Sequence, residues 1–291
     1  MNKKLVLGTA NFGNVYGISN SSLRLPLVDK EIAERLVARA VSIGIDTFDT
    51  AQNYGPSLGW ITDFSKDMKL RIWSKVSWIP DEFQDFQNFT DYISKYFDNH
   101  GRENLELLQL HNWTPSLKPS EIERRIDFIR DEWKIKVGAT TYGTESAFEA
   151  TKYFDSIQIE CNLLNKHAYL NVRDKLGDDQ ILNVRSLFLQ GLLLKDSSSV
   201  DQKYNELMPA LKRIDLIVNE SGIDKNEFIT RWLHELDGVS GFVVGVDSTE
   251  QLDEIASNFA KGSLPRECVT KLESIENLKL KMADPRNWNS L

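Results

Sequence analysis

The stretch Gly44-Ile45-Asp46-Thr47-Phe48-Asp49 decides the architecture. Its apolar and polar residues alternate with period two, as in a strand that packs one face and lines something polar with the other. A helical pattern precedes it. Ile32, Leu36 and Ala40 recur at i, i+4 behind Asp29, a good N-cap, and Gly44 suits the position just past a helix end. Helix and strand patterns go on alternating in both directions. Further strand patterns occur at Lys4–Thr9, Arg71–Val76, Leu105–Leu110, Lys136–Thr140, Ser156–Cys161, Ile181–Ser186 and Gly241–Val246. Strands repeating at about 30 to 40 residues predict an α/β chain of βα units that closes into a single-domain (β/α)8 TIM barrel over residues 1–291. An open doubly wound sheet is the alternative.

Local signals fill in the units. Ser120-Glu121-Ile122-Glu123 reads as a capping box ahead of Ile122, Ile126 and Ile129, and Ser248-Thr249-Glu250-Gln251 as another ahead of Leu252, Ile255 and Phe259. The interval between the second and third strands leaves room for a reduced helix near Leu58–Phe64, the one between the seventh and eighth has room for two helices, and Ser197-Ser198-Ser199 reads as a surface loop.

Composition removes several function classes. With 35 Lys+Arg against 43 Asp+Glu, a net charge of −8 and no basic run, the chain is a poor candidate for nucleic acid or an anionic membrane. At 41% hydrophobic and 27% charged it is neither disordered nor a coiled coil. Cys161 and Cys268 lie far apart and the opening apolar run stops at Gly8, so a reduced, cytoplasmic setting is expected. The uncharged stretch Leu5–Leu23 is too rich in Gly, Asn and Ser to span a bilayer. Four His without paired spacing suggest no metal, and nothing in the pattern sets an oligomeric state.

Strand periodicity sorts polar residues together. Thr47 and Asp49 share one face, as do Trp73 and Lys75, Gln109 and His111, and Gln158, Glu160 and Asn162. If the apolar faces pack on the helices, Asp49, Lys75, His111 and Gln158 point inward near the C-terminal strand ends, where barrel active sites form. Singly, each has a structural alternative: a turn Asp, a snorkelling Lys, a hydrogen-bonded His, a surface Tyr54. Three such residues ending three of the first four strands weaken those alternatives.

The run Gly44-Ile45-Asp46-Thr47-Phe48-Asp49-Thr50-Ala51-Gln52-Asn53-Tyr54-Gly55 resembles the aldo-keto reductase signature G-[IV]-x-x-[FI]-D-T-A-x-x-Y-G. The resemblance continues through Leu7-Gly8-Thr9, Leu110-His111, Gly138-Ala139-Thr140, Gln158-Ile159-Glu160, Gln190-Gly191-Leu192 and Val244-Gly245-Val246. It implies a barrel that moves a hydride between NADPH or NADH and a small-molecule carbonyl substrate. The catalytic residues it implies are Asp49, Tyr54, Lys75 and His111. Those it implies at the cofactor are Thr140, Thr141, Gln158, Arg185, Ser186, Gln190, Gly191, Gly245, Ser248 and Gln251.

The residue types suit the chemistry. A carbonyl receiving a hydride becomes an alkoxide and needs a proton donor, a role for the Tyr54 phenol, whose ordinary pKa is about 10. Lys75 is expected to stabilise the phenolate and lower that pKa, Asp49 to hold Lys75, and neutral His111 to orient the carbonyl.

Several positions depart from the family. Thr140-Thr141 replaces a common Ser-Asn, and Arg185 stands where many members stack a Tyr on the nicotinamide, a place it could also fill as a structural ion pair. Gly245 and Gln251 replace a Lys and an Arg that grip the adenosine 2′-phosphate, leaving the Ser248 helix N-terminus to hold it, so weak discrimination between NADPH and NADH is expected. The tail around Asp284–Trp288 resembles a bacterial branch linked to sugar or surface-polysaccharide metabolism, although a Trp clamped on the barrel also accounts for it. Tyr16, Trp78 and Trp113, just past strand ends, are expected either to stack on a sugar face or to wall a pocket. Two other functions compete: a cofactor-sensing or regulatory subunit, and a glycoside hydrolase using Asp49 and Glu160, in which Lys75 would have no role.

Overall fold

The computed structural model describes residues 3–14, 27–273, 275 and 281–290. Its strands are β1 (Lys4–Gly8), β2 (Thr47–Asp49), β3 (Arg71–Ser77), β4 (Leu105–His111), β5 (Lys136–Thr140), β6 (Ser156–Glu160), β7 (Ile181–Arg185) and β8 (Val239–Val244). All pair in parallel with their sequence neighbours, and β1 pairs with β8 from Lys4 opposite Gly241 to Leu7 opposite Val244, closing a (β/α)8 barrel. The intervening helices are α1 (Lys30–Ser42), α2 (Ser57–Phe64), α3 (Phe86–His100), α4 (Pro119–Trp133), α5 (Thr144–Ala150), α6 (His167–Val172), α7 (Met208–Ser221) and α8 (Lys225–Trp232); α9 (Thr249–Ala260) and α10 (Arg266–Glu273) follow β8. Among the described residues no helix is long and apolar enough to cross a membrane.

Caps fix several boundaries. The Asp29 carboxylate accepts from the Ile32 N–H at 2.9 Å and starts α1. At its other end Gly44 takes φ +87° and the Ile45 N–H returns to the Ala40 carbonyl, so pairing begins at Thr47 rather than Gly44. Two expectations are corrected. Helix α4 starts at Pro119 with Lys118 as N-cap, because proline's fixed φ already suits the first helical position; Ser120 lies inside the first turn and caps nothing. Residues Ser197–Ser199 form a short 3-10 turn, held by the Asp196 carboxylate on the Ser198 N–H.

Two apolar groups divide at the sheet. Phe48, Val76, Leu108 and Val184 belong to the main core between strands and helices, whereas Val6, Trp73 and Leu107, with Val243 against them, form a separate plug. That is the face sorting the period of two requires. A side chain at Gly241 would collide with Asn183 Oδ1 and come within 3.0 Å of the Trp73 ring, so glycine there makes room for the plug. The Trp288 indole donates to the Met282 carbonyl at 2.9 Å and meets Tyr204 edge-on, which clamps the tail to the barrel.

Candidate active site

The inward residues of the C-terminal half converge on Asp49. Lys75 Nζ forms a buried ion pair with Asp49 Oδ1 and donates to the Thr50 carbonyl at 3.0 Å. Gln158 Nε2 donates to Asp49 Oδ2 at 2.8 Å, and Gln109 Nε2 reaches the same oxygen at 3.4 Å. Side chains from β3, β4 and β6 thus neutralise and hold the one carboxylate on β2.

Tyr54 follows on the loop after β2. The Asn14 amide donates to the Tyr54 carbonyl at 2.8 Å, and Gly55 turns the chain with φ +54°. A Cβ at Gly55 would lie 2.7 Å from Asn14 Oδ1, so both the conformation and the space demand glycine. Lys75 Nζ lies 5.2 Å from the centre of the Tyr54 ring, and the His111 ring meets it edge-on at 6.0 Å.

Burial, and then the Asp49 carboxylate, push the Tyr54 phenol above its ordinary value, with Arg185 opposing. This corrects the expected lowering by Lys75: its charge is already engaged by Asp49, and desolvation of the phenolate dominates. Burial also pushes the His111 imidazole down to about 3, helped by the Lys75 and Arg185 charges. His111 is therefore neutral across the physiological range. Because its folded value lies below the ordinary His value of about 6.5, the unfolded chain takes up this proton first. Stability is lost as pH falls from about 6.5 towards 3. Proton NMR should show no titration of His111 between pH 5 and pH 8; a midpoint near 6.5 would contradict the burial.

A cavity of about 170 Å3 opens beside this cluster, lined in part by Thr9, Asn11, Asp49, Tyr54, Phe188, Val243 and Asp247. Of the residues expected at a cofactor, Arg185, Ser186, Gln190 and Gly245 also line it; Thr140, Thr141, Gln158, Gly191, Ser248 and Gln251 do not. The loop after β7 is tightly coiled, with Ser186, Leu189 and Gln190 all at positive φ, a conformation costing non-glycine residues of order 1 kcal/mol each.

The Arg185 guanidinium donates to the Thr141 carbonyl at 3.0 Å and lies 4.1 Å from the Tyr142 ring centre. Arg286, from the tail, lies 3.6 Å from the same centre. Two guanidiniums cannot share one ring face at those distances, so Tyr142 is held between them. Thr140 is occupied elsewhere: its hydroxyl accepts from the Asn112 N–H at 2.9 Å.

Sequence reasoning missed Asn11 and Tyr142, both on loops where strand period says nothing about direction. Trp113 is corrected outright: it is fully buried and packs edge-on against Phe154. Trp78 is buried against Phe83 and donates to Ser116, outside the cavity lining. Tyr16 lies outside the described residues.

The family model for the aldo/keto reductase family matches residues 4–277. The chain belongs to that family. Among solved structures, an aldo-keto reductase from Bacillus halodurans in its holo form is 17% identical, with 96% of this chain and 95% of that one covered and a TM-score of 0.73. A Pseudomonas aeruginosa protein described as an aldo-keto reductase is 19% identical, with 88% and 89% covered and a TM-score of 0.64. At such identities the likeness concerns the fold. No curated protein matches the chain.

Membership implies NAD(P)H-dependent carbonyl reduction, and the polar atoms around Asp49 suit a nicotinamide. Thr141 Oγ1 and Gln158 Oε1 are buried without a partner among the described residues. Asp49 takes the Gln158 NH2 group and so fixes its Oε1 as an acceptor. A primary carboxamide offers a donor to one and an acceptor to the other. At the far end of the cavity, a Cβ on Gly245 would meet nothing within 4 Å, leaving open space for a bulky ligand.

Proposed function

We propose that this aldo-keto reductase reduces a small aldehyde, ketone or open-chain sugar with Tyr54 as the proton donor. The observation that supports it most is the convergence of Asp49, Lys75, Tyr54 and His111 in one cluster, with Asp49 and Tyr54 on the cavity wall. NADH or NADPH would supply the hydride when bound, and Thr141 and Gln158, with their unpartnered polar atoms beside Asp49, are the residues that would hold its carboxamide.

Each side chain then has one task. Neutral His111 donates to the carbonyl oxygen and fixes its pose. Tyr54 stays protonated at neutral pH because burial raises its pKa. It passes its proton to the oxygen as alkoxide character develops, an exchange that remains downhill because an alkoxide is far more basic than any phenolate. Lys75 stabilises the phenolate, and Asp49 keeps Lys75 charged and in place. A glycosidase role for Asp49 and Glu160 is disfavoured, since Lys75 neutralises Asp49 and Glu160 Oε1 is engaged by the Gly143 N–H at 3.0 Å.

The test is a fluorescence titration with NADH and NADPH, followed by a panel of aldehydes, ketones and aldoses in which loss of the reduced nicotinamide is read by absorbance. Turnover of at least one carbonyl class is expected. Tight cofactor binding with no turnover across the panel would favour the cofactor-sensing reading instead.

A further inference from the structure

We infer that the mouth of this cavity selects NADH over NADPH, because Asp247 on its wall and Glu250 in the adjoining first turn of α9 put two carboxylates at the end of the cavity away from Tyr54. The inference rests on the reading of the cavity as a dinucleotide site. With the reacting ring beside Tyr54, the lining leads past Asn11 and the β7 loop to Gly245 and Asp247 at the start of α9. Loops after strands seven and eight are where TIM barrels commonly hold phosphate.

Two N–H groups at that helix start are already taken by side chains of the same turn. Ser248 Oγ accepts from the Gln251 N–H at 3.3 Å, and Gln251 Oε1 turns back to accept from the Asp247 N–H at 2.9 Å. Gln251 Oε1 and Ser248 Oγ are thus engaged with the backbone at this helix start. The Glu250 carboxylate accepts from the Thr249 hydroxyl at 3.2 Å, placing an anion in the first turn. Its pKa is lowered, through its own N–H and the Ser248 and Thr249 hydroxyls.

Asp247 is pinned more firmly. Asn11 Nδ2 donates to Asp247 Oδ1 at 2.8 Å and to the Val246 carbonyl at 2.7 Å, holding the carboxylate on the cavity wall. No lining cation offsets these charges at that end: among the described residues Arg185 is the cationic one, and it lies over Tyr142. Arg39 pairs with Asp253, further along α9, at 2.7 Å. A carboxylate accepts hydrogen bonds from a ribose diol and repels a phosphate, the logic by which an acidic residue marks NAD sites in dinucleotide folds.

Dissociation constants of NADH, NADPH, 5′-AMP and 2′,5′-ADP, measured by calorimetry at low and high salt, test this. NADH is expected to bind at least about tenfold tighter than NADPH, a difference of roughly 1.4 kcal/mol, and 5′-AMP tighter than 2′,5′-ADP. Both gaps should narrow at high salt as the repulsion is screened. Glu250→Gln, at an exposed position outside the cavity lining, should strengthen NADPH binding while changing NADH little; adding Asp247→Asn should strengthen NADPH further and weaken NADH by a few-fold, as the ribose diol loses its carboxylate partner. NADPH binding as tightly as NADH, or a ratio unmoved by both variants, overturns the selection while leaving the dinucleotide site intact. Binding of neither dinucleotide overturns the reading of the site as well.

Discussion

Tyr54→Phe is expected to lower kcat for carbonyl reduction by about a thousandfold or more, in the range general acid catalysis contributes, while leaving dinucleotide affinity nearly unchanged. The substitution removes one hydroxyl and keeps the ring that meets His111 edge-on and lies under Lys75. What is lost is the proton for the developing alkoxide, an interaction made only as the reaction proceeds, so kcat and kcat/KM should fall together. Stopped-flow turnover beside a binding titration separates the two. A rate within a few-fold of wild type would take Tyr54 out of the chemistry.

Lys75→Met should be as inactive and, unlike Tyr54→Phe, clearly unstable. Asp49 is 3% exposed, and without the ammonium its charge would rest on the Gln158 and Gln109 amides alone. Breaking a buried pair by removing one partner costs about 3–5 kcal/mol. The double variant Asp49→Asn, Lys75→Met removes the stranded charge and should recover most of the melting temperature without recovering turnover. Calorimetry on both variants decides it. A double variant no more stable than the single one would mean that packing of the lysine stem, rather than charge, holds this part of the barrel.

The parts legible in the sequence were those governed by period and register. Asp49, Lys75, Gln109 and Gln158 fall on one strand face, and period two places them inside the barrel before any contact is known. Chain beyond a strand end obeys no such rule. Trp113 follows Asn112, which takes φ +57° and turns the indole back into the core instead of toward the cavity. Asn11 gains its meaning from partners 235 and 236 residues away. Gln251 was readable as a helix residue, but its backbone competes with any ligand for its side chain, and that contest is settled only once the turn has formed. The tilt of Tyr54 toward a higher pKa likewise depends on how deeply the folded chain buries it, a quantity no motif contains.

The pairing of the first strand with the last has a consequence for how the protein comes into being. During synthesis β1 emerges early and waits with one edge open until residues 239–244 have left the ribosome. Only then can Asn11 reach Val246 and Asp247, so the cavity is among the last features to exist. Contacts spanning so much chain are slow to form, because loop closure must precede any reward from pairing. An unfinished chain therefore has an unpaired strand edge and no complete pocket, so a ligand can be held only by a chain that has closed its ring.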